Sequence, residues 1–167
     1  MVGMKYRIPN LPIFEKNARA MGATPVVVAW SEYPFALMQG VVDGGECSKD
    51  SYRSAGLYES AKYVADVDYA YPVEQICFST QFWNSLSEED QKVISDAAAQ
   101  VASHHSERTL DKWEEDKEWL INEGGVTFCD IDRQAFIDAA EPLGKELQDE
   151  GFFTTKDLYD QTRQFNK

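Results

Sequence analysis

Short apolar runs, punctuated by glycine and proline, fill the first third of the chain. Met4–Pro9 alternates loosely and meets Pro9–Asn10, which predicts a short strand ending in a loop. Pro12–Met21 has helical spacing, and Gly22 is placed to close it. Val26–Ala29 is a continuous apolar, mostly β-branched run, the pattern of a strand buried on both faces. Ser31 is a candidate N-cap for a short helix through Gln39, ended by Gly40. Pro34 then falls in the first turn, where its missing N–H is harmless. Val41–Val42 reads as a second brief buried strand. Strands and helices in alternation predict an α/β fold, with a parallel or mixed sheet flanked by helices.

The remainder is dominated by one element. Tyr52–Ala65 has helical spacing and Tyr69–Ser79 reads as extended. SLSEEDQKVISDAAAQVA then opens a long helix: Ser87 with Asp90 and Gln91 approximates a capping box, and Glu88, Glu89 and Asp90 suit the positive end of the helix dipole. Ile94, Ala97, Ala98, Val101, His105 and later Trp113 and Leu120 keep a helical stripe, with no glycine or proline between Ser87 and Glu123. The implied helix is about 50 Å long at 1.5 Å per residue. A compact domain of this size does not need such a length, so something outside the local core is expected to pack along it. Val126–Cys129 predicts a strand, Arg133–Glu150 an amphipathic helix broken near Pro142–Gly144, and Thr155–Phe165 a final helix.

Composition narrows the functional classes. The chain is 43% hydrophobic and 13% aromatic, which excludes a disordered chain. Its net charge of −13 argues against nucleic acid and anionic membranes as partners, since phosphate binding needs clustered Lys and Arg. An anionic ligand would need a local positive centre held against that field. No apolar run approaches the roughly 18 residues of a spanning helix, and MVGMKYRIPN lacks the apolar stretch of a secretory leader. Cys47, Cys77 and Cys129 are too scattered for a disulfide framework and show no CxxC spacing, although a single bridge stays open.

Some residues carry candidate chemistry. Arg7, in a strand with Tyr6 and Ile8, offers a planar fork suited to bidentate carboxylate recognition. The plainer alternative is a surface arginine, or one paired with any of the 29 acids. Trp30 follows an apolar strand, at the strand end where open α/β folds bind ligands; the alternative is a core tryptophan. GVVDGGEC at 40–47 sets an acid and a thiol, Glu46 and Cys47, after glycines that let backbone approach a ligand closely; the alternative is a plain tight turn. A cysteine enzyme is not expected, because the only histidines, His104 and His105, lie on the long helix. Zinc-ligand spacing and a phosphate loop are both lacking.

Several stretches in register carry a resemblance. GMKYRIPN (3–10), GATPVVVAWSE (22–32), FALMQGVVDGGE (35–46), LYESAKYV (57–64) and LSEEDQKVISDAA (86–98) resemble the DctP-type solute-binding proteins of TRAP transporters. The resemblance implies periplasmic proteins of two α/β lobes, with hinge strands and one long lobe-spanning helix. These close on an organic acid and deliver it to membrane permease subunits; they are not enzymes and need no cofactor. It also implies site roles. Arg7 would be the carboxylate clamp, Asn10 would line the cleft and Trp30 would pack on the solute. Glu46 and Cys47 would face the solute, and Tyr69 would complete the ligand-binding set. No metal set is expected; Glu46 is the one position where some relatives would use an acid to hold an ion.

The chain departs from the family pattern at two points. Cys47 stands where the family has a solute-bonding asparagine, and a thiol is a weak donor and acceptor, which implies a smaller or less hydroxylated acid. The matched motifs also begin inside the family's second lobe. The expectation is therefore residues 1–72 as most of that lobe, 73–112 as a hinge strand and the start of the long helix belonging to the first lobe, and 113–167 as the helix end and C-terminal helices. The face of the long helix would then meet an N-terminal lobe or a second copy of the chain. The competing expectation is a truncated, non-binding module that self-associates through that helix.

Overall fold

A computed structural model describes residues 1–67, 70 and 75–165, the side chain of residue 103 apart. β1 (Lys5–Ile8) lies between two parallel partners, β2 (Thr24–Val27) and β3 (Gly44–Gly45), in the order β2-β1-β3. Arg7 is in register with Val26 on one side and Gly45 on the other. β4 (Tyr63–Ala65) and β5 (Thr127–Cys129) form a separate parallel pair. All described pairings are therefore parallel, as α/β crossovers require.

Helix α1 (Pro12–Ala20) starts with proline in its first turn and ends at Met21, where Gly22, at φ 82°, turns the chain toward β2. Its Ala18 packs with Tyr6, Ile8 and Ala23 in one buried cluster. On the other side, α2 (Tyr33–Met38), α3 (Lys49–Ser54), the 3-10 turn Leu57–Glu59 and the end of α5 (Glu88–Asn122) close a larger core of Tyr33, Ala36, Val42, Tyr52, Leu57, Leu120 and Val126.

α5 is a single helix of 35 residues, capped by the Ser87 hydroxyl, which accepts from Asp90 N. Its C-terminal third is anchored. Asp116, 1% exposed, accepts from Arg53 Nη1 at 2.7 Å and pairs with Lys112 one turn earlier. Arg53 also stacks on Trp119, 4.1 Å from ring centroid to guanidinium carbon. Burial pushes the Asp116 carboxyl up, but the hydrogen bonds and charges of Lys112 and Arg53 outweigh it and hold the pKa below the ordinary aspartate value. Farther toward the N-terminus, Val93, Val101 and Leu110 stand exposed. Of the apolar stripe, Leu120 is fully buried in the larger core, Ile94 and Ala98 are half-buried, and Val101 is exposed.

Several sequence expectations require correction. Val26–Ala29 is not a strand buried on both faces: β2 stops at Val27 and is an edge strand, and Val27 is 57% exposed. Val41–Val42 is not a strand either. Both amides turn back to the Ala36 carbonyl at 2.9 and 3.3 Å, using the donors a ladder would need, and the strand forms at Gly44–Gly45 instead. Ser31 makes no cap; a 3-10 turn, Trp30–Glu32, leads into α2.

Tyr52–Ala65 is not one helix. Gly56, at φ 68°, ends the helical path, and the chain re-forms as a 3-10 turn and then β4. The 69–79 expectation lies partly outside the described residues; 75–79 have no regular structure, and a short helix, α4 (Thr80–Ser85), precedes α5. α6 (Arg133–Asp149) runs through Pro142 without the expected break. Gly144 there is a packing residue, because a Cβ would collide with the Tyr159 ring, whose hydroxyl donates to the Glu141 carbonyl at 3.0 Å. The last helix, α7 (Leu158–Arg163), is shorter than expected.

Candidate functional site

The site is built around the centre of the small sheet. β1 alternates, so Arg7 leaves the sheet on the face where the loop after β2 and the start of α2 converge. The side chain is almost wholly buried, at 5% exposure. Its Nε donates to the Val28 carbonyl at 3.0 Å, fixing the plane of the guanidinium. Two rings flank it: its guanidinium carbon lies 5.5 Å from the Trp30 centroid and 5.3 Å from that of Tyr33. The rings themselves are 5.9 Å apart and tilted by 55°. Cation–π attraction of this kind contributes about 0.5–2 kcal/mol, more as water is excluded.

Backbone economy makes this packing possible. A Cβ at Gly45 would stand 2.6 Å from the Tyr33 hydroxyl and 2.9 Å from Arg7 Cβ. Only glycine lets β3 lie against β1 while Tyr33 reaches beneath Arg7. The GG pair therefore serves close approach of protein to protein, whatever else the loop does.

Beyond Gly45 the chain delivers Glu46. Its Oε1 lies 3.5 Å from Arg7 Nη1, with side chains 22% and 6% exposed respectively. The guanidinium is thus not free of acids: as the plainer alternative allowed, it has an acid partner, though a loose one. Among the described residues Nη2 makes no hydrogen bond or ion pair. Burial pushes the Glu46 carboxyl above the usual carboxylate value, and Arg7 pulls it back only in part. Cys47 is half-buried against the larger core. Burial first, then the neighbouring Glu46 and Asp50, push its thiol up to about 12, so it is no nucleophile near neutrality. Burial likewise pushes the Tyr33 phenol up, beyond any ordinary titration.

Arg7, Trp30 and Glu46 are therefore brought together, with Cys47 adjacent. Asn10 stands exposed on the loop after β1. Tyr69 lies outside the described residues. Tyr33 was missed by sequence reasoning, although its placement three residues after Trp30, on one face of a helical turn, is a readable signal. The Val28 carbonyl left no sequence signal. No group of three or more His, Cys, Asp or Glu among the described residues is placed to hold a metal ion. The Arg7 charge beside Glu46 would itself oppose a second cation. No described helix is long and apolar enough to cross a membrane. Surface depressions occur elsewhere, one of about 360 Å³ between Phe78, Trp83 and Ile94 and one of about 230 Å³ at His105, Arg108 and Trp113.

Residues 1–150 match the family of bacterial extracellular solute-binding proteins, family 7, called DctP. A solute-binding protein of Roseobacter denitrificans is 34% identical over 139 residues, covering 83% of this chain and 42% of that protein. A TRAP periplasmic solute-binding protein of Ochrobacterium anthropi, solved with bound L-fuconate, superposes with a TM-score of 0.84 at 33% identity, over 96% of this chain and 52% of that one. Another from Roseobacter denitrificans, solved with bound β-D-glucuronate, gives 0.82 at 27% identity, over 89% and 49%. The chain spans about half the length of the relatives it matches. With its strand order, its long helix and this family match over most of its length, the chain belongs to the DctP family of extracellular solute-binding proteins.

Proposed function

We propose that this chain supplies the carboxylate-gripping half of a periplasmic TRAP solute-binding protein that takes up a small organic acid and presents it to membrane permease subunits. The arginine is the clamp, and the protein performs no chemistry on the solute. The observation that carries this reading is the holding of Arg7: Nε tied to a backbone carbonyl, two rings flanking the plane, and Nη1 3.5 Å from a carboxylate oxygen while Nη2 has no partner among the described residues. A fork fixed before the ligand arrives loses little entropy on binding. Each charge-assisted bond to a solute carboxylate would contribute about 1.5–3 kcal/mol. Family relatives with bound sugar acids support an acid as the ligand class. Cys47 offers little hydrogen bonding, which favours an acid with few hydroxyls on that side.

The lobe assignment follows the same reading. Residues 1–72 and 113–167 would share one lobe, since the end of α5 packs on α3. Residues 73–112 would serve the other, where Val93, Val101 and Leu110 of α5 are exposed. Titration calorimetry of L-fuconate, D-glucuronate and succinate tests the clamp. Arg7→Lys should weaken the tightest of them by tenfold or more, and by more than Trp30→Leu does; an equal or smaller loss rejects it. A second reading, a self-associating module, is favoured by the exposure of Val93, Val101 and Leu110 on α5. Light scattering showing a dimer, with no thermal shift from any of these acids, would favour it.

A further inference from the structure

Glu46 already sets a carboxylate oxygen 3.5 Å from Arg7 Nη1, so a solute carboxylate brought to the same guanidinium would compete with it. We infer that Glu46 is an internal stand-in that holds the Arg7 fork in the empty site, and that it picks up a proton from solvent when a solute carboxylate displaces it. The inference rests on the Arg7 reading above.

The geometry distinguishes the two sides of the guanidinium. The Nε bond to the Val28 carbonyl is a normal hydrogen bond at 3.0 Å. The Nη1–Glu46 pair, at 3.5 Å, is longer than the 2.7–2.9 Å of a close charge-assisted bond. The backbone side is therefore the fixed one and the Glu46 side the exchangeable one. Both side chains are largely withdrawn from water, so a second anion brought to Arg7 is felt strongly by the first. One guanidinium cannot neutralise two carboxylates at close range, and the group with the higher proton affinity yields its charge. A free sugar acid or dicarboxylate keeps an ordinary carboxylate pKa. Glu46 is already raised by burial, and both losing Arg7 and gaining an anionic neighbour push it further.

Other groups around the site do not compete for that role. Tyr33 on α2 faces both Arg7 and Glu46, and Cys47 adjoins them; Tyr52 and Asp50, on α3, face the thiol. Burial keeps the Tyr33 phenol neutral, and pushes the Cys47 thiol and the Tyr52 phenol up to about 12. Asp50 stands in the first turn of α3 and makes no contact with Arg7. The proton taken up comes from water or buffer and lands on a Glu46 carboxyl oxygen; no bond is made or broken in the solute.

The sign of the pH effect follows from linkage. Binding that takes up a proton weakens as pH rises, by up to about tenfold per pH unit, between the Glu46 pKa of the empty chain and that of the loaded one. Both lie above the ordinary carboxylate value. Calorimetry of the full chain with L-fuconate, D-glucuronate and succinate, from pH 5 to 8 in buffers of different ionisation heat, measures the uptake directly.

The expected result is a heat that changes with buffer, up to about one proton taken up per solute, and affinity that falls with pH. Glu46→Gln should bind at pH 8 more tightly than the wild type, with affinity that no longer falls with pH and with no proton uptake. A buffer-independent heat with the wild type overturns the inference, whatever the variant does, while leaving the clamp in place. So does a Glu46→Gln chain that binds more weakly throughout, since Glu46 would then be a direct solute contact. An Arg7→Lys variant that binds these acids as tightly as the wild type overturns the clamp itself, and the inference falls with it.

Discussion

A single methyl group at Gly45 tests how closely the site is packed. The added Cβ would lie 2.6 Å from the Tyr33 hydroxyl oxygen, and 2.9 Å from both Arg7 Cβ and the Tyr33 ring carbon that bears it. None of these is the loose end of an exposed side chain. Tyr33 is 3% exposed, and Arg7 is held in the sheet. Relief requires β3 to move from β1 or Tyr33 to leave the core, and overpacking of this kind costs about 1–3 kcal/mol. Gly44 provides the control: a Cβ there meets only Met4 Cε, at an ordinary 3.6 Å. Neither glycine has a positive φ, so both substitutions keep an allowed backbone. Both also reduce unfolded-chain freedom equally, which alone would stabilise by about 0.4–1 kcal/mol. The difference between the two variants therefore isolates the clash. Urea unfolding should place Gly45→Ala about 2 kcal/mol below Gly44→Ala, and melting should place it roughly 4–8 °C lower. Arg7–solute affinity should fall in step. Two variants equal within about 0.5 kcal/mol would refute the reasoning, because the close approach would then be yielding freely.

Asp116→Asn removes a buried charge that Arg53 and Lys112 hold, and should destabilise by about 2 kcal/mol near neutral pH, discounted for the exposure of both cations. Its folded pKa lies below the unfolded value of 3.8, so that stability is present above 3.8 and lost as pH falls through the lower folded value; the gap between wild type and variant should close there, and a pH-independent gap in acid denaturation counts against the pair. Iodoacetamide at pH 8 should label exposed Cys77 well before Cys47, whose thiol is pushed up to about 12; peptide mapping that finds Cys47 modified as fast would show the loop to be open.

The sequence by itself determined the elements whose signals are local. Pro12 and Gly22 bracket α1, Ser87 and three following acids start α5, and the uninterrupted stripe to Leu120 sets its length. In each case the few residues that satisfy or terminate the backbone hydrogen bonds are neighbours in the chain. The family motifs were equally legible, because each is a short string, and they drew attention to Arg7, Trp30 and Glu46 before any geometry was known. Tertiary structure alone decided which partners these residues have. Val41 and Val42 look like a strand, yet their amides are taken by the Ala36 carbonyl. The sequence left Arg7 with any of 29 possible acid partners, and the fold closes Val28, Tyr33 and Glu46 around it. The strand pairings join residues 19 to 64 positions apart, and the Arg7–Glu46 and Arg53–Asp116 ion pairs join residues 39 and 63 apart. Their energies depend on which surfaces are buried together, and no local string of residues records that.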